Sequence, residues 1–117
     1  MKIAPIKPII EYETLDKIDI RIGTIVQVED IQGADKLVRL IVDVGDHKRT
    51  ILAGIKQERK DPTALVGKQA LFVVNLAPRT MMGEVSEGML FDIGYADGLT
   101  PVLATPEKPV PPGARAG

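Results

Sequence analysis

Apolar and polar residues alternate along this chain in short runs separated by Gly and Pro. From Ile20, apolar side chains recur at Ile22, Val26 and Val28, with Arg21, Gln27 and Glu29 on the opposite face. That period of two predicts a half-buried strand, and Gly23 within it predicts a bulge or sharp bend. After the loop Gly33-Ala34-Asp35, Val38, Leu40, Val42 and Val44 alternate with Arg39 and Asp43 in a second strand. Gly45-Asp46 marks the turn into a third, Lys48 to Ala53, which ends at Gly54. Residues 55–68 are the one stretch with helix signals. Asp61-Pro62 supplies an N-cap followed by Pro at the first helical position, and Gly67 stops the helix. Gln69 to Asn75 is a fourth strand, apolar on both faces and therefore interior. Gly88 to Ile93 predicts a fifth, and Thr100 to Ala104 a short sixth.

The ends read differently. Residues 1–13, with Pro5 and Pro8, form an extended arm, and Thr14 offers an N-cap for a turn over Leu15–Ile18. Residues 105–117 carry Pro106, Pro109, Pro111 and Pro112 and cannot be a central strand. The pattern predicts an all-β domain over residues 14–104: a five-stranded Greek-key barrel with one short helix between the third and fourth strands and extended termini. A helix in that position favours an OB-fold over an SH3-like barrel.

The apolar run Ala70 to Val74 leads into Asn75-Leu-Ala-Pro-Arg-Thr-Met-Met-Gly-Glu-Val-Ser-Glu-Gly-Met-Leu90. Pro78 breaks strand pairing there, and Gly83 and Gly88 permit unusual backbone angles. Asn75, Arg79 and Ser86 thus lie on an irregular connection held between buried strands. Such a connection presents a site, or is a turn whose polar groups satisfy only their neighbours.

Composition narrows the chemistry. With 44% hydrophobic and 26% charged residues, the 117-residue chain reads as one ordinary globular domain. It has no run long enough for a membrane span and no signal-peptide core. Without Cys there is no disulfide framework or thiolate metal site, which is compatible with the cytosol, the compartment expected. The single His47 lies in the turn Gly45-Asp46-His47-Lys48 and reads as a solvated turn residue, not a ligand. No catalytic triad, phosphate loop or tuned carboxylate pair is present, so neither enzymatic activity nor a cofactor is expected. The net charge of −1 argues against nucleic acid until its distribution is considered. Residues 36–68 carry eight basic and four acidic side chains, a basic block inside an acidic frame. Only Tyr12, Phe72, Phe91 and Tyr95 are aromatic, too few to stack a single strand. A ligand recognised by backbone shape, such as structured RNA, fits better.

Asn-Leu-x-Pro-Arg-x-Met-x-Gly-x-x-Ser-x-Gly-Met resembles the signature of the tRNA-binding OB-fold domain. That domain occurs free-standing, at the C-terminus of bacterial methionyl-tRNA synthetases and in related synthetase cofactors. The likeness continues through Lys17-Ile-Asp-Ile-Arg-Ile-Gly23, Ala34-Asp-Lys-Leu37, Ile51-Leu-Ala-Gly54 and Leu65-Val-Gly-Lys68, covering roughly Thr14 to Gly113. Two departures are Gln32-Gly33 where His-Pro is common, and Met82 where many members carry a basic residue. The resemblance implies a non-catalytic module that binds tRNA by folded shape and assists a synthetase in trans. It also implies a binding role for Lys36, Asn75, Arg79, Ser86 and Met89. Arg39 joins them by its place at the start of the second strand. For Lys36 and Arg39 the alternative is a solvated strand end, and for Met89 it is core filling. Exposed Ser86 and Lys36 are expected to matter for binding and little for stability.

The resemblance further implies a homodimer through the terminal extensions, where Ile3, Ile6, Ile9, Ile10 and Val110 would otherwise be partly wet. A related branch, the CsaA-type export chaperones, implies the competing reading: unfolded or exported polypeptides held by strand addition. A protein whose only function is dimerisation is a third reading.

Overall fold

The structure is a computed structural model that describes all 117 residues. Five antiparallel strands form one sheet in the order β3-β2-β1-β4-β7, built from β1 (Ile20–Asp30), β2 (Val38–Asp43), β3 (Lys48–Ala53), β4 (Gln69–Val73) and β7 (Met89–Leu90). The sheet curls into an OB-type barrel. Val38, Leu40, Val42, Ile51, Ala70, Phe72 and Leu90 fill its interior. The β2 alternation was read correctly. In β4, Ala70 and Phe72 point inward, Val73 is buried too and Leu71 is half-buried, as a strand flanked on both sides requires.

The first strand departs from the expected pattern. Ile22 is buried and Val28 packs against the core as expected, but Gly23 and Ile25 are buried too, whereas Val26 is exposed. The register slips between Ile25 and Gln27, so the irregularity lies at Val26 and not at Gly23. The physical reason is a change of partner, since Ile20–Thr24 pairs with β4 and Thr24–Asp30 with β2. Gly23 is there for space: a Cβ on it would sit 2.3 Å from Val42 Cγ1 and 2.9 Å from Phe72 Cδ2.

The expected helix over 55–68 reduces to a 3₁₀ turn, Pro62–Leu65, which inserts Leu65 into the core. Asp61 caps it, accepting the Thr63 N–H at 3.1 Å. Lys56 to Lys60 is polar all round and offers no apolar stripe, and a residue before Pro resists the α conformation. The other helical turn, α1 (Tyr12–Leu15), begins after Glu11, so Thr14 lies inside it and does not cap it.

Two hairpins complete the fold. β5 (Arg79–Met81) and β6 (Glu84–Ser86) occupy the stretch read as irregular. β8 (Asp92–Ile93) pairs with β9 (Val102–Leu103), so the predicted fifth strand breaks at Phe91. The Pro-rich C-terminal segment is extended as expected, but it lies along the barrel. Gly113 N donates to Ile22 O, Ile22 N to Ala114 O and Ala116 N to Ile20 O, covering the free edge of β1.

Candidate functional site

The site residues are set by how the barrel closes. Between β3 and the β6–β7 segment no regular ladder forms, and side chains complete the seam. Leu52 N donates to Ser86 Oγ at 3.0 Å, and that hydroxyl donates to Gly88 O at 3.0 Å. Glu87 N donates to Thr50 O, while Thr50 N donates to the Glu87 carboxylate at 3.0 Å. Gly88 has no room for a side chain, because a Cβ would meet Val73 O at 2.7 Å. Ser86 is therefore a seam residue, 2% exposed, and the expectation of an exposed serine is corrected. A hydroxyl both accepts and donates, so it can stand in for a missing backbone pair.

Asn75 is also occupied. Its Oδ1 accepts from Asp19 N at 2.8 Å and its Nδ2 donates to Lys17 O at 2.6 Å, tying the end of β4 to the start of β1. Arg39 forms ion pairs with Glu84 of the hairpin and, at 3.3 Å, with Glu29. The hydrogen bond with Glu84, then that with Glu29, raises its pKa above the ordinary guanidinium value. Its charge is balanced within the protein, and its evident task is to hold the hairpin against the barrel.

Two of the predicted residues face solvent without internal partners. Lys36 is exposed on the β1–β2 loop, and Arg79 is exposed on β5. Every other arginine is engaged: Arg21 and Arg115 with Asp19, Arg59 with Glu58 and Ile55 O, and Arg49 with the carbonyls of Val74 and Glu87. Arg79 is the one free guanidinium. Met89 is 42% exposed on β7 and does not fill the core.

The loop and hairpin flanking this face touch each other. Ile31, Ala34 and Leu52 form a small outer cluster, with Leu37 and Met81 packed against it. Lys56 pins the same loop, donating to Ala34 O at 3.0 Å and pairing with Asp30 at 2.5 Å. The outer face of β3 is thus covered at Leu52.

The seam contains residues that the sequence reading missed. Arg49 clasps it and in turn donates from Nε to His47 Nε2 at 2.9 Å, while His47 Nδ1 meets Asp46 at 2.6 Å. This network assigns the His47 proton to Nδ1, and the contact holds the Asp46 carboxyl below its usual range. Nothing in the local sequence marks Arg49 or Glu87, because their partners are 25 to 38 residues away.

Residues 20–115 match the profile of the family described as "Putative tRNA binding domain". The chain belongs to this tRNA-binding domain family. It is 47% identical over 113 residues to a methionine–tRNA ligase of Parabacteroides distasonis, covering 97% of this chain and 16% of that protein. The domain thus spans about a sixth of the length of that relative. Among solved structures, a MetRS-related protein from Pyrococcus horikoshii superposes with a TM-score of 0.86 at 35% identity, covering 95% of this chain and all of that one. A CsaA chaperone protein from Picrophilus torridus superposes with a TM-score of 0.80 at 31% identity, covering 93% of this chain and all of that one.

Proposed function

We propose that this domain is a non-catalytic module that binds folded tRNA and assists a methionyl-tRNA synthetase in trans, in the cytosol. The observation that carries the reading is the covered outer face of β3 at Leu52. The loop and hairpin pack together through Leu52 and Met81, which favours a surface contact over a threaded single strand, and Arg79 and Lys36 are exposed on the hairpin and on the loop. A rigid, folded RNA can be held across such a surface by its phosphates. The family membership and the likeness to methionine–tRNA ligases support the same partner.

The chaperone reading has one observation of its own. β5 pairs only with β6, so its outer edge is open to an added strand, and Leu76, Val85 and Met89 are exposed nearby. Fluorescence anisotropy with folded tRNA, an unstructured RNA of equal length and an extended apolar peptide separates the two. Tighter binding of folded tRNA, falling steeply with salt, is expected. Equal binding of both RNAs, or a salt-independent preference for the peptide, would overturn the tRNA reading.

The further reading of a homodimer rests on the arm. Ile6 and Ile9 are 99% and 98% exposed, and two copies would double the cationic surface offered to one RNA.

A further inference from the structure

We propose that Met82 is a non-ionic contact to RNA, packing on an unstacked base or ribose face while Arg79 holds an adjacent phosphate. The proposal rests on the tRNA reading above and concerns a residue that none of the seam or loop contacts uses.

The argument begins with the backbone. Met81 pairs with Glu84, which leaves Met82-Gly83 as a two-residue turn with φ of 53° and 75°. Two positive φ values are the pattern of a type I′ turn, in which Asn or Gly is at ease at the first position. Met82 is the one non-glycine residue in the chain with positive φ. A methionine there is sterically disfavoured and does nothing for the turn. Nor does it serve packing. Met81, its neighbour, joins the outer apolar cluster, whereas Met82 is 60% exposed at the hairpin tip. A strained, solvated, apolar side chain on a rigid hairpin points to a ligand.

The surroundings suit RNA. The hairpin is held down by Arg39–Glu84 and by the Ser86 seam bonds, so its tip is fixed relative to the barrel. Arg79, three residues earlier, carries the free guanidinium, while Val85, paired with Thr80, is exposed on the other face of the hairpin. A cation beside an apolar wedge matches a phosphate beside a base or ribose.

The test uses the full chain with Met82→Asn, because Asn adopts the left-handed region readily and the turn survives. Binding to folded tRNA is measured by anisotropy over a salt series, alongside melting temperature. The expected result is an unchanged or higher melting temperature with about fivefold weaker binding at every salt concentration, as for loss of one interface anchor. Arg79→Ala should instead shallow the salt slope by about one unit. Met82→Lys should recover affinity with a steeper slope. If Met82→Asn binds like the parent while Arg79→Ala binds weakly, the RNA reading stands and Met82 is only a turn residue. If the unmodified chain shows no preference for tRNA, the functional reading fails and this proposal with it. Weakened capture of an extended apolar peptide with RNA binding intact would also overturn it.

Discussion

Ser86 and Arg79 lie on the same face of one hairpin, yet they do different work. Ser86 is buried, and its hydroxyl joins Leu52 to Gly88 across the barrel seam. Ser86→Ala leaves a buried N–H without a partner, a loss of about 1–3 kcal/mol. Thermal denaturation should therefore show a fall of roughly 5 °C or more for a domain of this size. An unchanged melting temperature would mean that water or a neighbouring group replaces the hydroxyl. Arg79 has no internal partner, so Arg79→Ala should leave stability within about 0.5 kcal/mol while weakening RNA binding. A variant that melts early but binds normally would reverse these roles. The serine in the signature was legible as important, but its sequence neighbours do not reveal that Leu52, 34 residues away, needs its oxygen.

At the scale of elements, the C-terminal segment belongs to the barrel. Gln69 holds Val110 by a pair of hydrogen bonds, 2.7 Å to its carbonyl and 3.1 Å from its N–H, and Asp19 takes both Arg21 and Arg115. The Arg21 hydrogen bond above all, with that of Arg115 and the charges of both arginines added, holds the Asp19 carboxyl below its usual range, although burial opposes them more strongly than the Arg115 hydrogen bond alone contributes. A carboxylate with a depressed folded pKa stabilises the native state above its unfolded value of about 3.9, and the contribution is lost as pH falls through the folded value. Asp19→Asn should thus lower the melting temperature at pH 7 and flatten its decline below about pH 4. Melting curves across pH 2–7 check this (a range on the order of the carboxylate titration), and parallel curves for the two proteins would exclude Asp19 as the latch. The strands were mostly legible from alternation. The β5–β6 hairpin was not, because its two strands of three residues are too short to show a period.

At the scale of the molecule, the two termini part company. Both were expected to supply a dimer interface, but residues 113–116 are spent on the edge of β1, while Ile3, Ile6 and Ile9 stay in solvent. The arm is fixed only near its start, where Lys2 N and Ala4 N donate to Asp97. Removing residues 1–10 should yield a monomer with an intact barrel, whereas removing 105–117 should lower the melting temperature first. Sedimentation equilibrium and calorimetry on the two truncations check both statements. A full-length monomer at micromolar concentration, or a dimer that survives loss of the arm, would remove the arm from the interface.

The sequence by itself determined the barrel class, its first four strands and the family motifs, because alternation, turn residues and short spacings are local and survive in a one-dimensional reading. It also located the basic block and the shortage of aromatics. Only the tertiary structure decided which charges are free. Arg39, Arg49 and Lys56 look as available in sequence as Arg79, and each is neutralised or bonded by a partner that the fold brings from a distant strand or loop. The same holds for Ser86 and Asn75. A polar group is open to a ligand only if the fold has not already satisfied it, and that is decided where the barrel closes, by contacts between residues far apart in the chain.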